Sequence, residues 1–180
     1  QGAANFRRKT KNGGFMEYYG YNSANKTGFR SADIDSVGLK NAFAIENFNT
    51  YQNINWRENF GMGWKITTGI SYSTNKDNIN NELQDANNQK QVITNPSFYA
   101  FKNFKLNNQA QYAQARVVLD KKLNGLNVIR FGADYFYSKE KSTYTLYNGS
   151  QFTESVTDNL ESVFAEADVF ITNDLAAKVG

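Results

Sequence analysis

The sequence of 180 residues contains no cysteine and no histidine, and it has a single proline. Without cysteine no disulfide can form, so disulfides give no information on the redox compartment. Without histidine the chain lacks the side chain that most often acts as a general base or metal ligand near neutral pH. We therefore expect no enzyme activity and no metal or cofactor. A single proline leaves long stretches free to pair as β-strands.

The sequence also lacks the run of about 20 apolar residues that a membrane-spanning helix needs. Mean hydropathy is low, at -0.64. A transmembrane β-strand needs only every second residue to be apolar, so a low mean hydropathy is compatible with a barrel. No signal peptide precedes the first strand, and we expect either that it was removed or that the chain is a fragment of a longer protein.

Strong charge is absent too, since the net charge is +3 and no long run of like charges occurs. The densest basic clusters, 7–9 and 121–122, lie beside predicted turns, where solvated lysine and arginine are ordinary. We therefore expect no nucleic-acid partner. What the chain has in abundance is aromatic residues, at 15%, and asparagine, with 25 residues. Asparagine favours turns and loops.

Alternation of apolar and polar residues is the main structural signal. From Trp64 to Ser73 the even positions are apolar or aromatic, apart from Thr68, whereas the odd ones are small or polar. This period of two predicts a β-strand. The same pattern predicts strands at 106–119, 128–138 and 160–172, with a further strand beginning after 175. Less regular alternation predicts strands at 1–10, 15–21 and 41–56.

The connections alternate between short and long. Short turns are predicted near 10–13, 57–63, 120–127 and 173–175, and long polar loops near 23–38, 74–104 and 139–158. Outer-membrane barrels have this arrangement, with short periplasmic turns and longer extracellular loops. The pattern predicts that residues 1–180 form part of one all-β domain, an antiparallel up-and-down transmembrane barrel segment of about eight strands.

Alternation alone does not distinguish a membrane barrel from a soluble sheet, in which one face packs on a core. Three features favour the barrel. The more polar face carries bulky aromatics such as Tyr112, Phe136 and Phe164, the apolar face ends in aromatics such as Trp64 and Tyr137, and the strands are long enough to span a bilayer. The alternative is a soluble β-domain.

From Leu106 onward the sequence resembles the barrel of TonB-dependent outer-membrane transporters of the kind found in Bacteroidota. The likeness lies in the stretches Val128-Ile-Arg-Phe-Gly-Ala-Asp-Tyr-Phe-Tyr137 and Ser162-Val-Phe-Ala-Glu-Ala-Asp-Val-Phe-Ile-Thr-Asn-Asp-Leu-Ala-Ala-Lys-Val-Gly180, and 47–72 reads similarly. The resemblance implies a barrel of 22 strands with an N-terminal plug, energised by TonB. It also implies a bacterial outer-membrane location and the import of a nutrient such as a metal chelate, glycan or peptide.

Two other functions remain open. The chain could be a complete small eight-stranded barrel with an anchoring or adhesion role, or a barrel scaffold in a surface or secretion complex. In every barrel reading we expect membrane lipids and lipopolysaccharide as partners, and for an importer also TonB and a surface lipoprotein.

Three sets of residues are candidates for function. The residues expected to face the lumen are Arg116, Arg130, Asp134, Glu166, Asp168 and Lys178. Their charges could contact a plug or a solute, or could form cross-strand ion pairs in water. The residues expected to face lipid are Ile66, Ile70, Ala115, Val117, Phe131, Tyr135, Val163, Val169 and Ile171, since a charge there would cost about 2–4 kcal/mol. A possible ligand loop contains Phe98, Tyr99, Phe101 and Phe104, which could instead extend a strand above the membrane.

A last candidate is the pair Asp33 and Asp35, whose carboxylates could contact Ca²⁺. Two carboxylates alone are weak support for a calcium site.

Overall fold

Eight β-strands form a single antiparallel sheet in the computed structural model, which describes residues 1–172 and 175–180. Each strand pairs with its neighbours in sequence, so the order in the sheet is β1 to β8. The predicted fold class is confirmed. The strands are β1 (Gly2–Lys9), β2 (Phe15–Ala32), β3 (Lys40–Gly61), β4 (Trp64–Gln84), β5 (Phe104–Lys122), β6 (Val128–Leu146), β7 (Gln151–Phe170) and β8 (Ala176–Val179).

The connections lie at two ends of the sheet. After β1, β3 and β5 the chain turns within a few residues, at 10–14, 62–63 and 123–127, and we call this the turn end. The opposite end, the loop end, holds the connections 33–39, 85–103 and 147–150. The predicted turn at 173–175 falls mostly on residues 173 and 174, which lie outside the described residues.

The strands are longer than the sequence predicted, and the loops are correspondingly shorter. β2 continues to Ala32 and β6 to Leu146, so the predicted loops 23–38 and 139–158 are largely strand. β4 continues to Gln84, so the predicted loop 74–104 is reduced to the connection 85–103. The predicted turns 57–63 and 120–127 shorten too, because β3 runs to Gly61 and β5 to Lys122. Alternation had indicated strand where one face stays apolar. In the added stretches this pattern is interrupted, because both faces are polar for a few residues and the apolar side chains then change face.

Strand register decides which side chains share a face. Ile70 lies opposite Ala115, which lies opposite Tyr135. In the same way Ile66 lies opposite Leu119 and Leu119 opposite Phe131. The residues expected to face lipid on β4, β5, β6 and β7 therefore lie on one face, which we call the first face. Ile171 follows the end of β7.

The other face of the sheet, the second face, holds all six residues expected to face the lumen. Arg116 lies opposite Asp134, Arg130 opposite Glu166, and Asp168 opposite Lys178. Whether the first face contacts lipid and the second a lumen stays a prediction.

No second layer of structure covers the sheet among the described residues, and few apolar side chains are buried. The buried ones are Leu83, Ala100, Ala110 and Val118. By contrast Ile70 is 62% exposed and Val163 is 85% exposed. A soluble sandwich would bury one face of each sheet against another, whereas the apolar first face has no core to pack against among the described residues.

The one helix among the described residues, α1 (Phe98–Phe101), lies in the connection between β4 and β5. No helix among residues 1–172 and 175–180 is long and apolar enough to cross a membrane.

Candidate functional site

A network of ion pairs crosses the second face near the turn end. The Lys65 ammonium lies 2.7 Å from one carboxylate oxygen of Asp120, and Nε of Arg130 lies 2.8 Å from the other. Nη1 of Arg130 also contacts Glu166 at 3.2 Å, and Glu166 accepts from the Lys178 ammonium at 2.8 Å. This charge network joins five adjacent strands, β4 to β8.

The charge network contains three of the six predicted residues and two that the sequence analysis missed. Arg130, Glu166 and Lys178 were predicted, whereas Lys65 and Asp120 were not. Asp120 had been placed in a turn, although its even number continues the parity of Arg116, and that parity was the available signal. Its side chain is only 12% exposed, so this carboxylate depends on both of its cations.

The structure places Arg116 and Asp134 apart from the charge network. They form their own pair, 3.5 Å between Nε and Oδ1, and the Arg116 guanidinium lies 5.4 Å from the centre of the Phe164 ring. Phe164 in turn covers Gly132 on the neighbouring strand, where an added Cβ would come within 2.2 Å of the ring. An aromatic ring lying over a strand glycine is a known device for stabilising sheets.

An amide belt follows on the second face toward the loop end. Asn75 donates to Asn49 at 2.5 Å, Asn49 donates to Asn47, and Asn47 donates to Asp77. On β5 the side chain of Asn108 accepts from Ser142 at 2.7 Å. These groups offer hydrogen-bond donors and acceptors with little charge.

The two faces exchange polarity beyond the amide belt. The second face becomes apolar there, through Phe29, Phe43, Ile45, Ile79, Leu106, Phe104, Tyr144 and Phe152, while the first face becomes polar and basic. The rings of Phe29 and Phe43 stack at 5.3 Å between centroids, as do those of Phe104 and Tyr144. The sequence analysis missed this apolar belt because it read most of these stretches as loops. It placed Phe43, Ile45 and Leu106 in strands but did not detect the exchange of faces.

The four residues of the predicted ligand loop lie in two different elements. Phe98, Tyr99 and Phe101 lie in α1, whereas Phe104 is the first residue of β5. Phe98 and Phe101 are about half exposed, and the Phe101 ring meets Tyr147 edge to face at 5.8 Å. The alternative prediction, a strand extension, therefore describes Phe104 alone. The half-exposed rings of Phe98 and Phe101 lie at the loop end.

The carboxylates of Asp33 and Asp35 bind an ammonium group in this structure. Nζ of Lys102, just after α1, lies 2.5 Å from Asp33 and 2.6 Å from Asp35. The hydroxyl of Tyr99 donates to the backbone carbonyl of Asp35. We call this set the loop clasp, because it joins the connection after β2 to the connection after β4. Among the described residues no group of three or more potential ligands could hold a metal ion.

The two charges of the loop clasp stabilise each other. Burial raises the pKa of Asp33, but hydrogen bonds from Lys102, the Asp35 backbone, Asn41 and Ser36 outweigh it and leave the pKa below the ordinary 3.8. Burial likewise lowers the pKa of Lys102, and its bonds to Asp33 and Asp35 more than reverse this, so the pKa lies above 10.5. Both groups are therefore charged over the whole neutral range.

A buried amide fixes the same connection to the end of β4. Oδ1 of Asn103 accepts from the backbone N–H of Leu83 at 3.1 Å, and its Nδ2 donates to the Gln91 carbonyl at 3.0 Å. Asn103, Leu83 and Ala100 are almost completely buried. The rim at the loop end therefore has a small packed core of its own.

Comparisons with known proteins show the fold alone. No family model matches the chain, and no curated protein matches it. Among solved structures the chain is similar to the ferric yersiniabactin uptake receptor FyuA from Yersinia pestis, with a TM-score of 0.64 and 12% identity. That match covers 97% of this chain and 26% of that one, so the chain spans about a quarter of the receptor.

A second match, to CarO from Acinetobacter baumannii, has a TM-score of 0.24 and 13% identity over 90% of this chain and 79% of that one. A TM-score this low carries no argument. The sheet therefore has the fold of a segment of an outer-membrane β-barrel.

Proposed function

We propose that the chain is part of an outer-membrane β-barrel that imports a nutrient with energy supplied through TonB. The observation that carries the proposal is the superposition of nearly the whole chain on part of an uptake receptor. The sequence resemblance to TonB-dependent transporters supports the same reading independently.

The open edges of the sheet favour a large barrel over a complete eight-stranded one. β1 pairs only with β2, and β8 pairs only with β7 among the described residues. A closed small barrel would pair its first and last strands, and a bilayer does not tolerate a free strand edge. Further strands of a larger barrel would satisfy both edges. The comparison gives no support to a scaffold role.

The charges on the second face favour a cargo that is neutral or cationic. Between the rows of Asn75 and Asn81 it carries the carboxylates Asp77, Glu140 and Glu154 and no lysine or arginine among the described residues. An anionic cargo would be repelled there. A glycan or a cationic peptide could use the amide belt for hydrogen bonds and the apolar belt for stacking.

Uptake by cells that do or do not produce the full-length protein tests the proposal. Labelled oligosaccharides, oligopeptides and ferric chelates are supplied separately, with and without an uncoupler of the inner-membrane proton gradient. We expect uptake of one class to need both the protein and the gradient. Equal uptake of all three classes by both strains would contradict import.

A further inference from the structure

The first face carries four exposed lysines just beyond its tyrosines. On β6, Lys139 and Lys141 follow Tyr137 on the same face, and on β4, Lys76 lies four residues after Tyr72. Lys105 on β5 lies further toward the loop end. We call Lys76, Lys105, Lys139 and Lys141 the first-face lysines.

The first-face lysines form no ion pairs with the described residues. No carboxylate lies within ion-pair distance of the first-face lysines among the described residues. On β4, β5 and β6 the first face beyond Tyr72 and Tyr137 has one carboxylate, Glu82, against the four lysines. On the second face, by contrast, Lys65, Arg130 and Lys178 are ion-paired in the charge network.

Their spacing suits a shared anion. Lys76 and Lys141 both flank Gln109 in one row of the sheet, which places their backbones about 10 Å apart, twice the strand spacing. Two flexible lysine side chains can meet over that distance. Lys139 is the next first-face residue on β6 and lies one step nearer the tyrosines.

The length of strand beyond the tyrosines indicates which anion these lysines meet. Tyrosines at the ends of an apolar band lie at headgroup depth, so the cations beyond them meet phosphate groups. β4 continues for 12 residues from Tyr72 to Gln84, about 40 Å of strand, whereas the headgroup region of one leaflet is about 5–8 Å thick. A lipid that carries a long saccharide above its phosphates matches this length of strand.

We propose that the first-face lysines bind the phosphate groups of lipopolysaccharide in the outer leaflet. The proposal rests on the proposed outer-membrane location and on the outward direction of the first face, and it is independent of import. The bound lipid would form a collar on the outer wall of β4, β5 and β6.

Binding of lipopolysaccharide to the purified full-length protein tests the proposal. The variant Lys76→Gln/Lys139→Gln/Lys141→Gln is compared with Lys9→Gln/Lys11→Gln/Lys122→Gln, which removes the same charge at the turn end. At about fivefold for each lysine, we expect the first variant to bind about 100-fold more weakly. The second variant should bind like the unmodified protein.

Four probes identify the ligand: lipopolysaccharide, lipopolysaccharide stripped of its lipid phosphates, phosphatidylglycerol vesicles, and inorganic phosphate as a competitor. We expect tight binding of the first alone and no competition by inorganic phosphate. Equal binding of the stripped lipid or of phosphatidylglycerol, competition by inorganic phosphate, or an unaffected triple variant would each overturn the proposal. If the triple variant fails to assemble, Lys139→Gln and Lys141→Gln are measured singly, and unchanged binding by both would have the same consequence. Failed membrane insertion of the unmodified protein would instead refute the location.

Discussion

Single residues at the loop end carry the clearest electrostatic argument. The Asp33 carboxylate is fully buried and holds the Lys102 ammonium across two separate connections. Removing one member of such a pair leaves the other buried without its partner, which costs more than the pair itself contributes. The loop clasp should therefore set how firmly the connection after β2 is held.

We expect Lys102→Met to loosen the loop clasp without unfolding the sheet. Loss of the ammonium leaves the Asp33 carboxylate with its weaker donors, so local opening should become easier by about 2 kcal/mol. Hydrogen exchange of the amides in 33–39 and 98–103 measures this. Lys105→Met, which removes an exposed lysine outside the clasp, is the control and should leave those rates unchanged; equal effects of both variants would contradict the assignment.

The loop clasp should also respond to acid in a defined direction. Because the pKa of Asp33 is lowered by folding, its contribution is complete above the ordinary 3.8 and is lost as the pH falls through the lower value of the folded protein. The pKa of Lys102 is raised, so its contribution is complete below 10.5 and is lost only as the pH rises above that. Exchange protection of 33–39 should thus be constant between pH 5 and 9 and fall in strong acid. Loss of protection near pH 6 would contradict this account.

At the scale of strands and turns, the sequence predicted the portions of strand that have one apolar face and missed the rest. Alternation at Trp64–Ser73 was correct because one face there is apolar and the other is not. Past Ser73 the strand continues with Thr74, Asn75, Lys76 and Asp77, where both faces are polar. Such a stretch has no hydrophobic period, so only its pairing partners on β3 and β5 reveal it as strand.

The same limit applies to the candidate site. The parity of Arg130, Glu166 and Lys178 could be read from the sequence, and the structure joins them. Their link to Lys65 and Asp120 needs the register between β4, β5 and β6, which one sequence does not specify. The loop clasp joins residues 69 positions apart in the chain, and no local pattern indicates it.

The turn between β3 and β4 offers a matched pair of glycine tests. Gly61, Met62 and Gly63 all have positive φ, at 81°, 46° and 78°. A Cβ at Gly61 would meet nothing within 4 Å, whereas one at Gly63 would lie 2.7 Å from the Lys122 carbonyl oxygen. The two positions therefore share backbone strain and differ in steric conflict.

We expect Gly61→Ala to destabilise the folded protein by about 1–2 kcal/mol, the cost of a left-handed conformation for a residue with a Cβ. Gly63→Ala should cost more, because the β4–β5 pairing must also shift at Lys122. Urea unfolding in lipid vesicles, followed by the gel mobility of the folded form, compares them. An equal loss in both variants would show that the contact with Lys122 is absent.

For the molecule as a whole, the central claim is the direction of its two faces. The described residues form an open sheet with an apolar first face, no covering layer and unpaired edges at β1 and β8. All of these features make sense if the sheet is a wall of a larger barrel, with lipid on one side and water on the other. The proposed import and the proposed binding by the first-face lysines both depend on that direction.

Spin-label accessibility along β5 measures the direction of the faces most directly. The chain has no cysteine, so single cysteines at each position from Tyr112 to Val117 can be labelled without background in lipid vesicles. We predict that Ala113→Cys, Ala115→Cys and Val117→Cys are accessible to lipid-soluble oxygen, and that the intervening even positions are accessible to a water-soluble nickel complex. The absence of a two-residue period, or the opposite phase, would contradict the account.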